Sequence, residues 1–141
     1  MAVTEWRQRL SAHDGYELCP GATADEVVAV EAVLGAVFPA QLREIYLVSN
    51  GVFDRPGQWF VIWPLPEVAA RNGEAWSLTD SPVRRRLVGF GDDGTGTPFC
   101  VPRDGGDGVF AWSMAGGEAA LLADTVAGFW SRWTAGTLAP H

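Results

Sequence analysis

A chain of 141 residues, 48% apolar and with seven tryptophans, is long and apolar enough to build one core without metal or disulfide staples. It has no lysine; ten arginines face seventeen carboxylates for a net charge of −7, which argues against a nucleic-acid binder, since that needs a cationic surface. No apolar run approaches the roughly 20 residues of a membrane helix, the polar stretch from Met1 to Leu10 does not read as a signal peptide, and Cys19 and Cys100 read as free thiols rather than a disulfide framework. The expectation is a soluble protein of a reducing cytoplasm.

The spacing predicts a first helix from Thr4 to His13, with Trp6 and Leu10 on one face and Asp14-Gly15 as its stop. Tyr16 to Gly21 reads as a connector. A second helix opens on a capping box, Thr23 with Glu26 three residues on. Val27, Val30, Ala32, Val33 and Leu34 supply its apolar side, and Gly35 ends it in the left-handed conformation. Pro39 restarts helix at a first turn, where a missing N–H costs nothing. Leu42, Ile45, Tyr46 and Leu47 form the inward stripe, and Asn50-Gly51 closes it.

Val52 to Gly57 reads as a polar loop with a Pro56-Gly57 turn. Trp59 to Trp63 is a short continuous apolar run, which predicts a strand covered on both faces. Pro64 ends that strand, and Pro66 starts a short helix to about Arg71 or Asn72. Asn72 to Ser81 has no clear period. From Leu87 the period changes to two. Leu87 to Phe90, Pro98 to Val101 and Gly108 to Trp112 are predicted strands of a meander with glycine-aspartate turns, and Glu118 to Ala123 is a fourth. Asp124 is the expected N-cap of a last helix with Val126, Phe129, Trp130 and Trp133 on one face. Gly136 ends it, and Thr137 to His141 reads as a tail. Helices, then antiparallel strands, then a closing helix make one α+β domain over residues 1–141.

Glu31, Gly35, Pro39 and Asn50-Gly51 stand in a fixed order. After them come the turn Gly89-Phe90-Gly91-Asp92-Asp93-Gly94-Thr95-Gly96, strands at Phe99 to Val101 and Val109 to Trp112, and a final amphipathic helix. This ordered set resembles the SUKH superfamily over residues 20–135. The resemblance implies N-terminal helices and a C-terminal helix packed on a mainly antiparallel sheet. That superfamily groups fungal regulators of cell-wall synthesis with bacterial immunity proteins that neutralise polymorphic toxins. The first functional expectation is therefore a non-enzymatic immunity protein that occludes a basic toxin domain. A nuclease suits this, because its cleft must hold a phosphate backbone. A regulatory or scaffolding module is the second, and a small hydrolase using paired carboxylates in a deep pocket is the third.

Gly89, Gly91 and Gly94 match G-x-G-x-x-G, but Thr95, Gly96, Thr97 and Pro98 cannot begin the helix a dinucleotide needs. The glycines read instead as a strand and a wide turn. Asp92, Asp93, Asp104 and Asp107 do not have calcium-loop spacing, and Asp and Gly are what turns demand. Neither His13 nor His141 looks held in a pocket, and no zinc spacing or nucleophile elbow occurs. No catalytic, cofactor or metal residue is assigned. Glu31 reads either as solvent-facing or as the partner of a backbone donor or Arg43. Arg84-Arg85-Arg86 reads as a solvated loop entering a strand. Contact with a protein partner is assigned to Asp54, Trp76, Asp92, Asp93, Asp104 and Asp107, because the acids cluster in turns and an exposed tryptophan is a common anchor. Glu31, Gly35, Pro39, Asn50, Gly51, Gly89, Gly91, Gly94, Gly96 and Trp112 are assigned to the fold.

Overall fold

The computed structural model describes residues 3–138. Helix α1 (Val3–Ser11) buries Trp6 and Leu10, the predicted pair. A short strand, β1 (Tyr16–Leu18), follows where a connector was expected. Helix α2 (Ala24–Leu34) starts on the predicted box: Thr23 Oγ1 accepts from the Glu26 N–H at 3.1 Å, and Glu26 Oε1 accepts from the Thr23 N–H at 2.9 Å. Gly35 ends it at φ 58°, left-handed as expected.

The inward side of α2 differs from the prediction. Val27, Glu31 and Leu34 are buried, while Ala32 is exposed and Val33 is 75% exposed. The apolar residues outnumber one helix face, so hydrophobicity alone could not orient it. Helix α3 (Ala40–Val48) buries Leu42, Ile45 and Tyr46, with Leu47 half-buried. Pro39 stands at its cap rather than inside its first turn.

Strand β2 (Val52–Asp54) replaces the first half of the expected polar loop. It pairs with β1 on one side and β3 (Trp59–Ile62) on the other. In β3 the first two residues are half-buried and only Val61 and Ile62 are buried, so the two-sided cover applies to its second half. Helix α4 (Leu65–Leu78) runs six residues beyond Asn72, through the stretch that lacked a period. Helix α5 (Pro82–Arg85) is one turn, capped by Ser81.

Strands β4 (Leu87–Asp92), β5 (Pro98–Pro102), β6 (Val109–Ser113) and β7 (Glu118–Ala123) form the predicted meander. Thr125, not Asp124, caps α6 (Val126–Ala135): its hydroxyl accepts from the Gly128 N–H at 2.9 Å. Gly136 ends that helix at φ 71°. The tail beyond residue 138 lies outside the described residues.

The seven strands lie in sequence order, and each pairs antiparallel with the next. Alternation along β4 to β7 sends Val88, Phe90, Phe99, Val101, Val109, Ala111 and Leu122 to one face, the main core. There Phe129 of α6 meets Phe90 and Phe99 edge-on, at centroid distances of 5.6 and 4.8 Å. Each such fully buried side chain contributes about 1.5–3 kcal/mol. The opposite face carries a second, smaller cluster of Leu87, Cys100 and Trp112 flanked by Phe110 and Ala119. The end of α4 and the turn of α5 lie over that face. Among the described residues no helix is long and apolar enough to cross a membrane.

Candidate functional site

The glycine-aspartate segment is built by close packing. A Cβ on Gly91 would sit 1.9 Å from the Val61 carbonyl oxygen, so β3 and β4 can pair only if this residue is glycine. Gly89 faces α4, where the Asn72 side chain meets its backbone. Gly94 and Gly96 have φ of 87° and 95° and turn the chain back into β5. This is the strand and wide turn expected of the three glycines.

Both aspartates of the turn bend inward to cap it. Asp92 Oδ1 accepts from the Gly94 N–H at 2.8 Å, and its Oδ2 accepts from the Trp63 indole at 2.9 Å. Asp93 Oδ1 accepts from the N–H groups of Thr95 and Thr97 and from the Thr95 hydroxyl. Asp104 and Asp54 do the same for Gly106 and Gly57, both at 2.9 Å.

In a sequential antiparallel sheet the turns alternate between its two ends. Asp54, Asp92 and Asp93 therefore gather at one end, and Asp104 and Asp107 at the other. Asp104 and Asp107 are exposed, and the other three are half-buried. Among the described residues no group of three His, Cys, Asp or Glu side chains could hold a metal ion.

Arg84-Arg85-Arg86 is not a solvated loop. Ser81 Oγ accepts from the Arg84 N–H at 3.2 Å, and the turn it caps carries Arg84 inward to 4% exposure, leaving Arg85 and Arg86 outside. Helix α5 thereby divides the second face of the sheet into two grooves. Ser81 and Arg84 line the first, of about 450 Å³, with Trp63, Trp112, Leu78 and Met114. Val83 and Arg86 line the second, of about 540 Å³, with Phe110 and Arg103. Asp92 stands on the first groove and Asp104 on the second. Leu78 and Met114 are 77% and 84% exposed.

Trp76 lies in α4 and is half-buried. Its indole N–H donates to the Leu87 carbonyl at 3.1 Å, and the Arg103 guanidinium lies 4.0 Å above its ring. Arg103 also donates from Nε and Nη2 to the Leu34 carbonyl, at 3.1 and 2.8 Å. It thus satisfies a terminal carbonyl of α2 from the turn that follows β5. Trp112 is 6% exposed and floors the first groove.

The remaining fold residues act at helix junctions. Glu31 Oε2 accepts from the Phe38 N–H at 2.7 Å and from Arg43 Nη2 at 2.8 Å, the structural alternative of the two readings. Asn50 is not left-handed; Gly51 is, at φ 103°. Asn50 instead accepts from the Leu65 N–H at 2.8 Å and so caps α4 from outside its own segment.

Among the described residues, burial shifts four groups away from their ionised form. Cys100 is pushed up to about 12. Tyr46, fully enclosed and donating to the Trp63 carbonyl at 2.8 Å, is raised further. Desolvation raises Cys19 and Tyr16 as well, with the carboxylates of Glu17 and Asp54 adding to it.

Sequence reasoning missed Arg84, Asn72 and Arg103. A signal existed for Arg84: Ser81-Pro82 is an N-cap followed by proline at the first helical position. A second apolar face was also readable, since Phe110 and Trp112 alternate with Val109 and Ala111. In comparison with known families, the SMI1 / KNR4 family (SUKH-1) matches the chain over residues 21–132. No curated protein matches it.

Proposed function

We propose, from the premise that this chain belongs to the SMI1 / KNR4 family (SUKH-1), that it is an intracellular immunity protein. It binds a cognate polymorphic toxin and blocks it by stoichiometric occlusion. The observation that carries this reading is the second face of β4 to β7. It has an apolar floor, two grooves beside α5, exposed Leu78 and Met114, and acidic turns at its edges. An apolar centre inside a charged rim is the ordinary build of a protein interface.

The rim acids are Asp92 and Asp93 at one end and Asp104 and Asp107 at the other, with Asp54 beside the first pair. They steer a basic toxin surface toward the grooves. Trp76 contributes as the platform under Arg103 at the wall of the second groove. A nuclease domain suits such a rim, because its own cleft is basic. Occlusion requires no reaction by this chain.

Co-expression with the toxin domain encoded beside its gene tests the reading. The expected result is restored growth and a one-to-one complex on size exclusion with light scattering. Continued killing by every neighbouring toxin domain would contradict it and turn attention to a housekeeping regulatory partner.

A further inference from the structure

Arg84 is 4% exposed and lines the first groove. Its hydrogen bonds run to two neutral acceptors, the Leu87 carbonyl at 2.8 Å and Asn72 Oδ1 at a long 3.4 Å. Among the described residues it forms no ion pair. Of the carboxylates on the groove, Asp92 is engaged by Trp63 and lies 3.8 Å from Arg71, and Glu74 is exposed on α4. The neighbouring Cys100 holds its proton and supplies no counter-charge. A guanidinium withdrawn from water without a carboxylate is costly. Its planar fork is shaped to hold one.

We propose that the first groove recognises an acidic-apolar segment of the partner protein: an Asp or Glu carboxylate seats against Arg84, and the adjacent apolar side chain packs on Trp63 and Trp112. This deepens the partner-binding reading and rests on it. The groove's volume of about 450 Å³ falls within the roughly 300–1,000 Å³ of pre-formed ligand sites. Leu78 and Met114, 77% and 84% exposed, extend the apolar lining outward from the groove, where an apolar side chain of a protein partner would pack. A partner that is basic elsewhere must present one acid here. A partner without that acid forgoes the ion pair with Arg84.

The test titrates the isotopically labelled chain by NMR with two capped dipeptides, acetyl-leucyl-glutamate amide and acetyl-leucyl-glutamine amide. The glutamate peptide is expected to bind at least about tenfold tighter, shifting the Arg84 side-chain N–H and the Trp63 and Trp112 indole signals. Arg84→Met removes the difference. Met114→Glu, at a position 84% exposed and so harmless to the fold, puts a carboxylate on the rim. It lowers the affinity of the glutamate peptide by a larger factor than that of the glutamine peptide, because only the glutamate peptide meets a like charge. Equal affinities, shifts confined to other parts of the molecule, or no binding of either peptide at millimolar concentration overturns the site. Failed toxin protection with peptide discrimination intact counts against the immunity reading and leaves the site standing.

Discussion

Asn72 and Gly89 exchange two hydrogen bonds: the Gly89 N–H donates to Asn72 Oδ1 at 2.7 Å, and Asn72 Nδ2 donates to the Gly89 carbonyl at 2.8 Å. The side chain of a helix residue thus pairs with β4 as a neighbouring strand would. Asn72 also donates to the Val68 carbonyl at 2.7 Å and accepts from Arg84, so one amide joins α4, α5 and the sheet. Asn72→Ala leaves both backbone groups of Gly89 without this partner. A loss of about 2–6 kcal/mol is expected, at about 1–3 kcal/mol for each buried group. The midpoint of urea unfolding measures it. Gly91→Ala is expected to be worse, because the new methyl meets the Val61 carbonyl at 1.9 Å. A midpoint unchanged in either variant would refute this account of the turn.

Glu31 and Arg43 predict unequal losses from one ion pair. The Glu31 carboxylate is buried and holds the Phe38 N–H as well, whereas the Arg43 side chain is 45% exposed. Glu31→Ala is expected to cost about 2–3 kcal/mol and Arg43→Ala only about 0.5 kcal/mol. Equal losses in parallel unfolding curves would mean that the ion pair, not the backbone contact, carries the stabilisation.

Arg103, in the turn after β5, joins that turn to the end of α2 and to Trp76. Lysine keeps the charge but cannot supply the fork to Leu34 and the stack on Trp76 together. Arg103→Lys is therefore expected to lose most of what Arg103→Ala loses, about 1–3 kcal/mol. Full recovery of stability in the lysine variant would show that charge alone is needed.

Alkaline pH should weaken the fold. In the native state Cys100 is held up to about 12 by burial, while in the unfolded chain it ionises near its ordinary value of 9.0. Its contribution is fully present below pH 9 and is lost as the pH rises toward 12. The slope is about 1.4 kcal/mol per pH unit for one group. Tyr46 adds to it above its own ordinary value of 10.0. Unfolding free energies measured across this window should fall, and Cys100→Ala should flatten the first part of the slope. A flat profile in the unsubstituted chain would contradict the burial of both groups.

Local signals were legible in the sequence and non-local ones were not. The Thr23 box, Gly35, Gly136 and the four-strand meander depend on neighbours within a few residues, and they stand where the sequence places them. Strands β1 and β2 have three residues each and exist because each finds a partner across the sheet. The extension of α4 past Gly73 depends on Asn72 and Trp76 reaching β4, a tertiary gain that overrides a weak helix former. Asp124 and Thr125 are adjacent candidate caps, and composition cannot choose between them. The acids of the site were legible as turn residues. The grooves between them were not, because they arise where α5 settles on a distant sheet face.

The central claim is that this chain works by contact through the face bearing Leu78 and Met114. The most direct measurement is the affinity of the cognate toxin domain for the double variant Leu78→Glu with Met114→Glu. Val28→Glu with Val33→Glu, on the exposed side of α2, is the control. All four positions are more than half exposed, so the fold is preserved in both. The account predicts at least about a tenfold loss for the first pair and unchanged binding for the second. Full affinity in the first pair, with or without a loss in the second, would contradict it.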